Sequence, residues 1–74
     1  MLNHTVIVTF TAPEHSGKTT LEAAFAKLLQ DHGIPVRMPP DAQREEKMAL
    51  PMDQLLDRFR EKGMTILVME SNAT

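Results

Sequence analysis

Apolar residues recur in two different periods along this chain, and the change of period predicts where strands and helices lie. Residues 5 to 11 are rich in β-branched side chains and stop before Pro13, which is typical of a strand. From residue 18 to residue 32 the apolar positions follow i, i+3, i+4, i+7 and i+8, which predicts an amphipathic helix ended by Gly33. The members of this stripe are Leu21, Ala24, Phe25, Leu28 and Leu29.

The middle of the chain is less regular. Residues 34 to 38 are predicted to be a second strand, which the Pro39-Pro40 pair stops. Residues 41 to 50 are polar and weakly patterned, so either a short exposed helix or a mobile loop is compatible with them.

A second clear helix is predicted for residues 52 to 62, between Pro51 and Gly63. Residues 64 to 69 then read as a third strand. One face of this helix carries the apolar residues Met52, Leu55, Leu56 and Phe59.

The resulting order β-α-β-α-β predicts an α/β fold with a minimal three-stranded parallel sheet and right-handed crossovers. The third strand is apolar on both faces, so helices are expected on both faces of the sheet. Strand order 2-3-1 is preferred, and 2-1-3 is also compatible. With 74 residues, the chain is expected to form one domain, residues 1 to 74, with a small core.

Composition excludes several classes of function. There is no cysteine, which excludes disulfides and thiolate metal sites, and the net charge of −2 provides no general attraction for nucleic acid. Three phenylalanines and no tyrosine or tryptophan argue against a base-stacking surface. Residues 1 to 4 lack a basic start and no run approaches the ~20 apolar residues of a membrane span, so we expect a cytoplasmic protein without a membrane partner.

The segment from Ala12 to Thr19, APEHSGKT, fits the Walker A pattern [AG]-x-x-x-x-G-K-[ST]. It lies between a predicted strand and a predicted helix, as the mechanism requires. A tight loop turns successive N–H groups inward to form a nest for phosphate oxygens, and the following helix directs its positive end to the same place. The pattern therefore predicts a site for the phosphates of a nucleotide.

Each position of the loop has an expected role. Gly17 permits close approach of the backbone, Lys18 reaches the β- and γ-phosphates, and the Thr19 hydroxyl ligates Mg²⁺. Thr20 is a further phosphate contact. The positions expected to contribute mainly backbone are Ala12, Pro13, Glu14, His15 and Ser16. The alternative is that Gly17 merely starts a helix and Lys18 is a solvated surface residue.

Two stretches resemble the P-loop NTPase superfamily. PEHSGKTTL, residues 13 to 21, is similar to the phosphate loop of RecA-type recombination ATPases. The wider pattern from TVIVTF through SGKTTL to LLQDHGIPV is similar to the start of nucleotide kinases of the thymidylate kinase type, and to very small ATP-binding P-loop proteins of phage genomes. The resemblance implies a truncated P-loop NTPase fold that binds ATP or GTP with Mg²⁺.

Glu70 follows four apolar residues at the end of the third predicted strand, which has the form of a Walker B segment. Ligands of open α/β sheets lie at the carboxyl ends of the strands, so Glu70 is a candidate catalytic residue and Mg²⁺ ligand beside Lys18 and Thr19. The usual residue there is aspartate, and no second acid follows. The alternative is a surface glutamate that happens to end a buried strand.

The resemblance also implies features expected beyond residue 74, namely further strands, a base-binding segment and often an arginine finger. The four arginines are candidates for that finger, although the mixed charges around them are typical of solvated surfaces; they are Arg37, Arg44, Arg58 and Arg60. His4 and His32 are expected to be ordinary surface residues. A short sheet with unprotected edges predicts a homodimer or a complex with another protein.

Three functions are compatible with these features. The first is a Mg²⁺-dependent ATP- or GTP-binding protein with weak or no hydrolysis on its own. The second is a small NTPase or kinase-like phosphotransferase whose site is completed by oligomerisation. The third is a phage or mobile-element protein that binds and inhibits a host factor, for which the nucleotide is dispensable.

Overall fold

The structure is a computed structural model that describes residues 4–72. In that range it contains three helices, α1 (Lys18–Asp31), α2 (Ala42–Met48) and α3 (Met52–Glu61). The expectation that the start of the chain lacks the basic region of a signal peptide concerns residues 1 to 4, of which residues 1 to 3 lie outside the described residues.

The first helix has the bounds that the sequence predicts, to within one residue. It begins directly after Gly17 and ends in a Schellman arrangement, in which the Gly33 N–H donates to the Gln30 carbonyl at 3.0 Å and the Ile34 N–H to the Leu29 carbonyl at 2.9 Å. Gly33 has φ 79°, the left-handed conformation that glycine adopts at the least cost. The prediction of this helix and of its stop is confirmed.

Between the two alternatives for residues 41 to 50, the structure has the short helix. Asp41 caps α2, because its carboxylate accepts a hydrogen bond from the Arg44 N–H at 3.1 Å. The Asp41 N–H donates in turn to Glu45 Oε2 at 3.3 Å. A capping aspartate thus makes a helix of seven residues that hydrophobic periodicity alone does not reveal.

The third helix is also where the sequence places it, with Pro51 at its N-cap and an end one residue earlier than predicted. Its apolar face is only partly buried. Leu55 is fully buried and Met52 and Phe59 are half-buried, whereas Leu56 is exposed.

The core lies where α1 packs against both α2 and α3. Ala23 and Ala24 of α1 meet Leu55 of α3, and partly buried residues surround this cluster, namely Met48, Leu50 and Met52. The predicted α1 stripe is therefore only partly correct, since Leu28 is exposed and the buried positions are mainly alanines. Alanine allows a second helix to approach closely, but each one contributes little buried apolar area.

The predicted α/β fold is wrong. Residues 4–72 contain no β-strand, so the three-stranded parallel sheet, both strand orders, and helices covering two sheet faces are all absent from the described chain. The prediction of a truncated P-loop NTPase fold is wrong for the same reason, because that fold requires a parallel sheet. The N–H and C=O groups of a strand need a neighbouring strand as hydrogen-bond partner. β-Branched and aromatic residues favour strands because they fit a pleated, half-buried surface, and not because their own backbone prefers the extended conformation. Here the helices pack against one another instead of against a sheet.

The three apolar segments that were predicted as strands consequently remain on the surface. Val6 is 89% exposed and Val68 is 85% exposed, although both were expected to be covered. Three of their residues are half-buried, namely Phe10, Val36 and Met38. The Phe10 ring packs edge-on against Phe25 of α1 with 5.5 Å between the centroids. The accessible surface of 6486 Å² exceeds the roughly 4,600 Å² typical of a compact monomer of this mass.

Three polar contacts, made by the side chains of Arg44 and Lys27, hold α2 against its surroundings. The Arg44 guanidinium is buried, donates to the Pro39 carbonyl and lies 3.9 Å from Glu22 Oε1 of α1. Lys27 Nζ of α1 donates to the Met48 carbonyl at the end of α2, at 3.2 Å. The expectation that all four arginines are solvated is therefore wrong for Arg44.

None of the helices in the described part of the chain combines the length and the apolar character that a bilayer span requires.

Leu55→Ala is expected to destabilise the fold by about 2–4 kcal/mol, because it removes the largest fully buried side chain. The measurement is urea unfolding followed by circular dichroism at 222 nm. Leu56→Ala, one position along the same helix and 43% exposed, is the matched control, with an expected loss below about 1 kcal/mol. Equal losses in the two variants would contradict the described packing of α3.

Candidate functional site

The loop before α1 is compact and alternates in backbone handedness. The chain turns at Glu14 and His15, and His15 and Gly17 both have left-handed conformations, with φ 63° and 90°. Ser16 between them has a negative φ. Alternation of this kind turns successive N–H groups toward one side and forms the concave nest that binds anions. The loop follows no strand, so only the helix half of the predicted strand-loop-helix context is present.

The start of α1 offers unpaired donors beside this loop. Within residues 4–72, the first main-chain hydrogen bond of the helix runs from the Leu21 N–H to the Gly17 carbonyl at 2.9 Å. The N–H groups of Lys18, Thr19 and Thr20 precede it and have no carbonyl one turn back to accept from them. Gly17 at the N-cap has no side chain that could cap them. The helix end is therefore open to an external acceptor.

The side chains of the loop divide into buried and exposed groups. Ser16 and Thr20 are buried, and the Ser16 Oγ has no hydrogen-bond partner among the described residues. Lys18 and Thr19 are half-buried at the start of α1. Ala12 and Gly17 are also half-buried, and the exposed positions are Pro13, Glu14 and His15.

Helix α3 packs directly against the loop, a contact that the sequence did not indicate. A Cβ atom at Gly17 would lie 3.1 Å from Lys62 Cγ and 3.1 Å from Phe59 Cδ1. Gly17 therefore serves two purposes here, since it adopts φ 90° and it leaves room for the end of α3.

A cationic hollow lies beside the start of α1, with a volume of about 430 Å³. Its lining comes from all three helices and the residue after α3: Thr20, Lys47, Arg58, Glu61 and Lys62. The sequence predicted a phosphate contact for Thr20 and a solvated charge for Arg58, and Arg58 is indeed exposed although it lines the hollow. Lys47 and Lys62 were missed, because no local pattern shows that distant helix ends converge on one place.

The other candidate residues lie apart from this arrangement. Arg37 and Arg60 are exposed, and Arg60 is paired with Asp57 on its own helix, as expected for solvated charges. His4 and His32 are exposed as predicted, and the His32 ring nitrogen lies 2.8 Å from the Leu28 carbonyl.

Glu70 is exposed in the segment after α3. The prediction that Glu70 faces the loop assumed a parallel sheet, and the described residues do not form one. Among residues 4–72 no group of three or more His, Asp or Glu side chains is arranged to hold a metal ion. The donors that do converge are N–H groups, a hydroxyl and cationic side chains, which suit an anion.

Comparisons with protein-family models, with curated proteins and with solved structures give no match. The resemblance to P-loop NTPases therefore depends on the loop and its flanking pattern alone.

Gly17→Ala is expected to lower the free energy of unfolding by about 2–4 kcal/mol, because alanine at φ 90° is strained and its methyl group displaces Lys62 and Phe59. Gly33→Ala is the matched control, since it has φ 79° but open space around the new methyl group, and it is expected to lose only about 1–2 kcal/mol. Urea unfolding measures both. Equal losses would show that α3 does not press on the loop.

Proposed function

We propose that the loop of residues 12 to 19 and the first turn of α1 bind the phosphates of ATP or GTP together with Mg²⁺, with weak or no hydrolysis by the isolated chain. The observation that carries this proposal is the open helix N-terminus next to a loop of alternating handedness. Helix N-termini and such loops bind phosphate through oriented N–H groups and the helix dipole. Lys18, at the first position of α1, adds a full positive charge.

The donor set fits a magnesium-bound nucleotide better than a bare metal ion. Magnesium keeps several waters and takes phosphate oxygens as ligands, so it requires only one or two oxygens from the protein. The Thr19 hydroxyl, in the first turn of α1, is the residue that we assign to it. The ion would neutralise phosphate charge, and the loop and Lys18 would orient the phosphate chain.

The support is for binding rather than turnover. Phosphoryl transfer depends on groups positioned around the transferred phosphate, and Glu70, the one candidate acid, lies exposed after α3. A kinase-like or NTPase activity would therefore need parts that this chain does not supply alone. The proposal places the protein in the cytoplasm, where magnesium nucleotides are the available ligands.

Lys18→Ala is expected to weaken ATP or GTP binding at least about tenfold, because a charge-assisted contact to phosphate is lost. Isothermal titration calorimetry with ATP, GTP and ADP, with and without Mg²⁺, measures this. Arg60→Ala removes an equal charge from an exposed site away from the loop and is the control. Equal heats from wild type and Lys18→Ala would overturn the proposal.

Thr19→Val keeps the shape of the side chain and removes only the hydroxyl. If Thr19 ligates the ion, this variant loses most of the gain in affinity that Mg²⁺ gives to the wild type, while binding in EDTA stays the same. An unchanged magnesium effect would remove Thr19 from the metal site and leave phosphate binding by the loop intact.

A second proposal concerns the partner. We propose that the apolar segments 5 to 10 and 64 to 69 pair with the same segments of a second copy of this chain. Both expose β-branched and other apolar side chains, such as Val6 and Val68, and neither forms a strand within the described chain. The accessible surface exceeds that of a compact monomer by roughly 1,900 Å², more than the ~800 Å² that each partner buries in a standard interface.

Light scattering is expected to give a dimer mass at micromolar concentration, and Val8→Lys and Leu67→Lys are expected to shift it toward the monomer, since each places a charge in an apolar contact. Leu28→Lys is the control, because Leu28 is an exposed apolar residue of α1 outside both segments. A wild-type monomer at that concentration would exclude self-association. A larger complex formed only with another protein would favour the inhibitor function.

A further inference from the structure

The net charge of the cationic hollow has the opposite sign to the net charge of the whole chain. Lys47, Arg58 and Lys62 contribute three positive charges and Glu61 one negative charge, so the hollow carries a net charge of +2. The chain as a whole carries −2. Three of the eight lysines and arginines therefore line one hollow of a small acidic protein.

These charges have no ionic partners in the described chain. The two ion pairs of residues 4–72 are Arg44 with Glu22 and Arg60 with Asp57, and neither involves a residue of the hollow. Glu61 lines the same hollow without pairing with any of the three cations. Unpaired cations around a concave surface attract an anion more strongly than the same charges spread over a convex one.

A hydroxyl group also lines the hollow. Thr20, which is only 5% exposed as a residue, is one of the lining residues. A hydroxyl can donate a hydrogen bond to a phosphate oxygen. Thr20 also belongs to the first turn of α1, whose free N–H groups lie in the proposed phosphate site.

Lys62 connects the hollow with the loop. Its Cγ lies 3.1 Å from the position of a Cβ at Gly17, so its stem passes beside the loop while the residue lines the hollow. The hollow, at about 430 Å³, is within the range of roughly 300–1,000 Å³ of small-ligand sites. A phosphate chain that begins at the loop could therefore continue into the hollow.

We propose that this hollow binds the distal phosphates of a nucleoside di- or triphosphate, so that Arg58, Lys62 and Lys47 select polyphosphates over monophosphates. The inference depends on the proposed function, in which the loop and Lys18 bind and orient the phosphate chain. The competing explanation is structural, since Arg58 and Lys47 lie in the last turns of α3 and α2, where positive charge stabilises the helix dipole. Arg60 lies in the same last turn but outside the hollow, and it separates the two explanations.

The test is calorimetric titration of the full chain with ATP, ADP, AMP and pyrophosphate in Mg²⁺. The variants are Arg58→Gln, Lys62→Gln, the two combined, and Lys47→Gln, with Arg60→Gln as the matched control and Lys18→Ala to report on the loop. Glutamine retains the Cγ of Lys62 and thus its packing beside Gly17. Thermal unfolding without ligand is measured on every variant.

We expect Arg58→Gln and Lys62→Gln each to weaken ATP binding about tenfold and AMP binding less than twofold, with a larger ATP loss in the combined variant. Arg60→Gln keeps the wild-type ratio of ATP to AMP affinity. If the combined variant keeps that ratio while Lys18→Ala loses binding, the role of the hollow is overturned and the loop proposal stands. If the wild type binds none of the four ligands, both are overturned.

A loss of thermal stability common to Arg58→Gln and Arg60→Gln, with an unchanged affinity ratio, would establish the dipole explanation instead. If Lys18→Ala binds ATP normally while the combined variant does not, the hollow binds the polyphosphate and the loop proposal is wrong.

Discussion

The structure depends on the close contact between the alanine face of α1 and Leu55 of α3. Ala23 and Ala24 present almost no side chain, so the helices can approach closely, and the same approach brings the end of α3 against Gly17. The position of the hollow is thus a consequence of how α1 and α3 pack. A larger residue on that face of α1 would separate the helices and move Lys62 away from the loop at the same time.

The helices could be predicted because their signals are local. Gly33 and Pro51 mark helix ends through the conformations that they favour, and the bounds of α1 and α3 follow to within a residue. The sheet could not be judged in the same way. A strand is stable only when it pairs with another strand. Residues 5 to 11 and 64 to 69 have the composition typical of strands, but composition does not show whether a pairing strand exists, and the described chain has none. The predicted topology was therefore an inference about long-range pairing drawn from short-range pattern.

The same distinction between local and long-range signals applies to the candidate site. The loop and Lys18 were recognisable, because the residue types and their spacing describe a chemistry that is local to one turn. The cations of α2 and α3 were not, since their arrangement arises from the packing of three helices. Arg44 illustrates the limit well: its sequence surroundings are those of a solvated charge, yet its guanidinium is buried between α1 and the Pro39 carbonyl.

The very small core also has a consequence for how the chain opens. Only four apolar residues of the described chain are buried, and three of them are alanines of α1. Amide protons of α1, which contributes most of this core, should therefore exchange most slowly among those of the three helices. Any ligand that binds the folded protein but not the unfolded chain will raise the apparent stability of the protein through mass action. In the cell, the lifetime of such a protein against proteases would follow the concentration of whatever it binds.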